Sequence, residues 1–87
     1  MAHYVYIIEC INNSFYTGYT TDLERRYKEH QQGTRKCRYT RSFPPKKLAA
    51  AWQFDSLSDA LVMEKEIQKM SKKQKQQLIS QWAKNEA

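Results

Sequence analysis

The stretch from Tyr4 to His30, YVYIIECINNSFYTGYTTDLERRYKEH, leaves the chain few ways to fold. It opens on a run in which Tyr4, Tyr6, Ile8 and Cys10 alternate with Val5, Ile7 and Glu9, and its β-branched and aromatic side chains suit a strand. Ile11-Asn12-Asn13-Ser14 carries turn chemistry, because asparagine tolerates positive φ and its side chain bonds its own backbone. A second aromatic run, Phe15 to Tyr19, completes a β-hairpin. Thr21-Asp22-Leu23-Glu24 then has the form of a capping box, with Thr21 at the N-cap. The helix it opens sets Leu23, Arg26, Tyr27 and His30 on one stripe, and Gly33 is placed to end it. An arginine and a histidine on an apolar stripe either snorkel from its edge or are held there for chemistry.

The hairpin carries a geometric condition. A two-residue turn at Asn12-Asn13 pairs residues whose numbers sum to an odd value, which puts Tyr6 and Tyr16 on opposite faces of the sheet. If both tyrosines serve one site, the loop must have an odd length or contain a bulge.

At 87 residues there is room for a single domain, 1–87. No apolar run approaches the ~20 residues of a membrane span and no signal-peptide pattern opens the chain, so a cytoplasmic protein is expected. Cys10 and Cys37 are expected as reduced thiols, and with His3 and His30 they match no compact zinc spacing. A net charge of +6, with aromatics at 13 % to stack on bases, points to an anionic partner, nucleic acid first.

Past the helix, Arg35, Lys36, Arg38, Arg41, Lys46 and Lys47 interleave with Tyr39 and Phe43. With Pro44-Pro45 excluding regular structure, the segment is expected as a basic loop that either clamps phosphates and stacks on a base or is simply solvated. Leu48 to Phe54 reads as a third strand, with Leu48, Ala50, Trp52 and Phe54 on one face. Ser56, with Ser58 as its rival, caps a helix whose stripe is Leu57, Ala60, Leu61, Glu64 and Ile67. Glu64 lies within that stripe and Glu66 faces away. A carboxylate turned toward a core needs a partner, a metal or a shifted pKa, and the plain reading is an ion pair with Arg26 or a lysine. Ser71 and Gln74 form another capping box, opening a last helix with Leu78, Ile79 and Trp82 on its apolar side and Lys72, Lys73 and Lys75 at its start. The sum is an α+β domain: a small three-stranded antiparallel sheet flanked by about three helices in the order β-β-α-β-α-α.

Tyr4-Val5-Tyr6, Tyr16-Thr17-Gly18, and Arg26 and His30 on the following helix together resemble the GIY-YIG nuclease superfamily, in particular its short single-domain bacterial members. Tyr39-Thr40-Arg41 and the segment from Ser58 to Ile67 share that likeness. The resemblance implies the same α+β fold and a DNA endonuclease, possible DNA repair roles included. It places catalytic roles on Tyr6, Tyr16, Arg26, His30 and Glu64, with Glu66 as the fallback for Glu64. Tyr4 stands where glycine is usual, Thr17 occupies the middle of the second motif, and no asparagine comes late in the domain before Asn85.

Residue chemistry allows those roles. Glu64 can hold one Mg²⁺ or Mn²⁺ ion whose other ligands are waters and phosphate oxygens. Arg26 suits the non-bridging phosphate oxygens. Tyr6 and Tyr16, in either order, can orient or deprotonate water with help from His30, one turn beyond Arg26. The expected partner is nucleic acid, DNA ahead of RNA, contacted by Arg35, Lys36, Arg38, Tyr39, Arg41, Lys46 and Lys47, with a protein partner as one source of specificity. The alternatives are a nucleic-acid-binding module that does not cleave and a protein-interaction module built on the last helix.

Overall fold

The computed structural model describes residues 2–33 and 37–86. Strand β1 (His3–Cys10) is the centre of a three-stranded sheet, with β2 (Phe15–Thr20) on one side and β3 (Pro45–Phe54) on the other, both antiparallel to it. The helices are α1 (Leu23–Gln32), α2 (Arg38–Ser42), α3 (Leu57–Gln68) and α4 (Lys72–Glu86). No helix among the described residues is long and apolar enough to cross a membrane.

Why β1 is apolar on both sides follows from its position. Val5 and Ile7 pack with Ala60 and Ile67 of α3, backed by Leu78 and Ile79 of α4, while Tyr6, Ile8 and Cys10 pack with Leu23 and Tyr27 of α1 on the other face. A strand covered on both faces reads as a near-continuous hydrophobic run.

The β1–β2 loop has three residues, Ile11 to Asn13, between Cys10 and Ser14. Asn13 N–H donates to the Cys10 carbonyl at 2.9 Å, Cys10 N–H donates to Ser14 O at 2.9 Å, and Asn13 sits at φ 65°. This is a turn followed by a left-handed residue, and asparagine fills the latter position at low cost. Asn12 Oδ1 accepts from Ser14 N–H and Oγ, which fixes the corner. The odd length sets Tyr6 opposite Gly18 and Ile8 opposite Tyr16, so Tyr6 and Tyr16 share a face.

Several local expectations change. The N-cap of α1 is Asp22, whose carboxylate accepts from Arg25 N–H at 3.1 Å, and not Thr21; Thr20 Oγ1 in turn accepts from Asp22 N–H. Glu24 pairs outward with Lys28 instead of closing a capping box. The basic segment is not an open loop, because Arg38 to Ser42 form α2 and β3 starts at Pro45. Proline is tolerated there since it opens an edge strand beside a register irregularity. Another irregularity falls where Ile7 pairs with Ala50 and Ile8 with Leu48. The extra residue, Ala49, breaks the alternation, so Leu48 packs on the Tyr6 face and Trp52 on the Val5 face. On α3 the covered positions are Ala60, Met63, Glu64 and Ile67, whereas Leu57 and Leu61 are exposed.

Other expectations hold. Gly33 ends α1 at φ 67°, Ser56 caps α3, and Ser71 and Gln74 exchange both bonds of a capping box at 2.9 and 3.2 Å.

Candidate active site

The site grows from the hairpin register. Tyr6 and Tyr16 point to the α1 side of the sheet with ring centroids 6.5 Å apart. Gly18, opposite Tyr6, leaves the space its ring occupies, for a Cβ there would overlap Tyr6 Oη and Cζ. The glycine of the Tyr-Thr-Gly motif is thus required by cross-strand packing and has no unusual φ.

Helix α1 lays Arg26 and His30 over the tyrosines. His30 is fully buried, and its Nε2 lies 2.8 Å from Tyr6 Oη. Its Nδ1 lies 2.7 Å from Thr40 Oγ1 of α2. The imidazole also meets Tyr16 edge-on at 5.1 Å. The Arg26 guanidinium pairs with Glu29 at 3.1 Å, and its charge favours the ionised form of both the Tyr6 and the Tyr16 phenol. Tyr39 of α2 stacks on Tyr16 at 5.6 Å, and its hydroxyl donates to Ser14 Oγ at 2.5 Å.

Burial and charge set the protonation states. Burial pushes the Tyr6 phenol up to about 12, against the opposing pull of Arg26. Tyr16 is raised by burial too, and the nearby negative charge of Glu64 adds to the effect. Burial, reinforced by the Arg26 charge, lowers His30 to about 4, so the imidazole is neutral at pH 7. Burial works against the charge of Arg26, but Tyr6 and Glu29 outweigh it and the guanidinium stays charged.

Glu64, half-buried on α3, makes no ion pair or hydrogen bond among the described residues, so the expected pair with Arg26 or a lysine is not formed there. Burial raises its pKa, with Lys65 opposing. A partly desolvated carboxylate whose field reaches Tyr16 suits a hard divalent cation that keeps most of its waters. Glu66 is exposed, as expected.

Of the expected nucleic-acid contacts, Tyr39 lies against Tyr16, and Arg38 and Arg41 are exposed on the same short helix. Lys46 and Lys47 instead pair with Glu9 at 3.6 and 3.8 Å, and Lys47 borders a cleft of about 340 Å³ with Phe15 and Lys72. Arg35 and Lys36 lie outside the described residues. The Leu78-Ile79 face of α4 packs on the core and is not a free docking surface. Sequence reasoning missed Thr40 and Ser14, which act across 10 and 25 residues that no local pattern spans, and Glu29, whose i,i+3 spacing from Arg26 on α1 was the available signal; Thr40 sat in the Tyr39-Thr40-Arg41 segment without a role.

The GIY-YIG catalytic domain profile matches residues 2–77. The chain is 48 % identical over 80 residues to the UPF0213 protein BH0048 of Halalkalibacterium halodurans, covering 92 % of this chain and 84 % of that one. It is also 48 % identical over 79 residues to the UPF0213 protein HQ_3675A of Haloquadratum walsbyi, covering 91 % of this chain and 88 % of that one. The solution NMR structure of BH0048 superimposes with a TM-score of 0.60 over 92 % of this chain and 84 % of that chain. With the tyrosine, arginine and histidine motifs gathered on one sheet face and the profile spanning most of its length, this chain belongs to the GIY-YIG family, among its short members of about 80 residues, and the family points to a nuclease acting on nucleic acid.

Proposed function

We propose that the protein is a divalent-metal-dependent endonuclease that hydrolyses phosphodiester bonds in DNA, either tolerant of or selective for substrate structure. The observation that carries this reading is the hairpin register. It puts Tyr6 and Tyr16 on one face, where the charge of a single arginine acts on both phenols and a neutral histidine meets both rings.

Each group has a part. Arg26, charged and half-buried, meets the non-bridging oxygens of the scissile phosphate, and its planar fork suits two of them at once. Tyr6 and Tyr16 orient the attacking water. With burial raising the Tyr6 phenol to about 12 and lowering His30 to about 4, the shared proton stays on Tyr6 in the free protein. At rest, therefore, His30 holds and aims the phenol, and it accepts the proton only once further positive charge steadies the phenolate. Glu64 is the residue that would hold a Mg²⁺ or Mn²⁺ ion, which when bound supplies charge to the phosphate and acidity to water. Arg38, Arg41 and Tyr39 extend the contact along the substrate strand.

A second reading is a nucleic-acid-binding module without cleavage. The observation in its favour is that both phenols are held protonated at neutral pH.

The test uses labelled single-stranded, nicked, flap and branched DNA with Mg²⁺ or EDTA, alongside the Arg26→Ala and Glu64→Ala proteins. Cleavage that needs Mg²⁺ and falls roughly 100-fold or more in each variant supports the nuclease, given what one charge-stabilising group is worth in a transition state. Salt-sensitive binding without cleavage, unchanged by both substitutions, overturns it in favour of the binding module.

A further inference from the structure

The residue on the far side of His30 controls what His30 offers to Tyr6. Thr40 Oγ1 lies 2.7 Å from His30 Nδ1 and donates to the Cys37 carbonyl at 3.2 Å. A hydroxyl has one proton and two lone pairs. With its proton committed to Cys37 O, Thr40 can only accept from His30, so Nδ1 must carry the hydrogen. A neutral imidazole with Nδ1–H has a bare Nε2, and the contact at 2.8 Å then runs from the Tyr6 hydroxyl to that nitrogen.

The opposite assignment is worse by a count of protons. If Thr40 donated to Nδ1, Nε2–H would donate to Tyr6 Oη. The hydroxyl of Tyr6, a residue only 2 % exposed, would then have no acceptor among the described residues. An unpaired buried donor costs about 1–3 kcal/mol. In the first arrangement every proton from Tyr6 through His30 and Thr40 to Cys37 O has an acceptor. The charge state agrees, since burial keeps His30 neutral at pH 7.

From this chain of contacts we infer that Thr40 is a positioning residue of the site: its hydroxyl, anchored on the Cys37 carbonyl, locks His30 in the Nδ1–H tautomer and so turns Nε2 into the proton acceptor for Tyr6. The five-residue helix α2 thus reaches the site twice, through Tyr39 against Tyr16 and through Thr40 behind His30. Helix α2 opens at Cys37, whose carbonyl also accepts from Arg41 N–H at 2.9 Å, so the anchor belongs to the helix's own first turn. Thr40 is buried, 1 % exposed, and its hydroxyl has no access to a water that might replace His30. The consequence for cleavage rests on the nuclease reading; the tautomer itself does not.

The experiment is long-range ¹H–¹⁵N correlation spectroscopy of the imidazole nitrogens, on the full chain at pH 7, for the wild type, Thr40→Ser and Thr40→Val. The wild type and Thr40→Ser are expected to show a protonated Nδ1 and a bare Nε2. Thr40→Val, similar in shape but without the hydroxyl, is expected to shift His30 toward the Nε2–H tautomer while the amide spectrum stays dispersed. In the cleavage assay, kcat of Thr40→Val should fall about 10–100-fold with KM little changed, as for groups that orient a functional imidazole through its other nitrogen, and Thr40→Ser should restore it. An Nε2–H tautomer in the wild type, a reading that needs no variant to fold, overturns the inference. So does a Thr40→Val protein that keeps the wild-type tautomer. Wild-type protein that cleaves no substrate, with a tautomer that still follows Thr40, counts against the nuclease and for the inference. A tautomer that follows Thr40 with kcat unchanged leaves the nuclease standing and removes Thr40 from its chemistry.

Discussion

Tyr6 and Gly18 face each other across β1 and β2, and the missing side chain of the glycine is the space in which the tyrosine ring lies. A methyl group on Gly18 would overlap both Oη and Cζ, so trimming the hydroxyl alone cannot relieve the clash. Gly18→Ala is expected to destabilise the protein by about 1–3 kcal/mol, the usual cost of overpacking. In a Tyr6→Leu background the same change should cost much less. Urea unfolding of the four proteins in this cycle measures the coupling; additive effects would show that the ring and the glycine do not depend on each other.

Thr17, beside Gly18 in the motif, offers the reverse opportunity. It pairs with Ile7 on the α3 side of the sheet, and its buried hydroxyl has no hydrogen-bond partner among the described residues. Thr17→Val should raise stability by about 1 kcal/mol by removing an unsatisfied polar atom. For a domain of this size that is a rise in melting temperature of about 4–8 °C. Cleavage should be unchanged, because Thr17 faces away from the tyrosines. A lower melting temperature would mean that the hydroxyl has a partner.

His30 makes stability depend on pH in a defined window. Its folded pKa of about 4 is below the ordinary 6.5, so the unfolded chain takes the proton first as pH falls. The contribution is complete above pH 6.5, declines toward pH 4 and is flat below that. Between pH 7 and 4.5 the wild type should lose about 2–3 kcal/mol more stability than His30→Gln. Glu64, whose raised pKa has the opposite sign, is common to both proteins and cancels in the difference. Equal losses in the two proteins would rule out a buried neutral His30.

Glu64 can be tested without turnover. Mg²⁺ at about ten times its dissociation constant should stabilise the wild type by about 1.4 kcal/mol, or several degrees in melting temperature. Glu64→Gln should lose that shift, and without metal it should melt at or slightly above the wild type, since a half-buried charge is gone. An undiminished Mg²⁺ shift in Glu64→Gln would place the ion elsewhere.

The hairpin, the α1 stripe and the capping residues Ser56, Ser71 and Gln74 were legible because each depends on neighbours within a few positions. The N-cap of α1 was missed by one residue, since Thr21 and Asp22 are both good caps and the choice turned on Thr20, which holds Asp22 N–H. The alternation expected in β3 failed at Ala49, because a bulge changes the period and alanines mark no preferred face. Helix α2 was hidden by its length. Five residues next to two prolines carry no periodic signal, and contacts with α1 hold it in place.

What the amino-acid order determined by itself was local: which segments form the three strands, where α1 ends and where α3 and α4 begin, and that an arginine and a histidine lie on the buried stripe of α1. The tertiary structure alone decided what those groups meet. The three-residue turn chose the face of Tyr16, the packing of α1 on β1 set His30 against Tyr6, and the return of the chain through α2 put Thr40 behind the imidazole. Those contacts join residues 10 to 24 positions apart. Their energies come from burial and hydrogen bonding that exist only after the sheet has formed, so no window of sequence contains them.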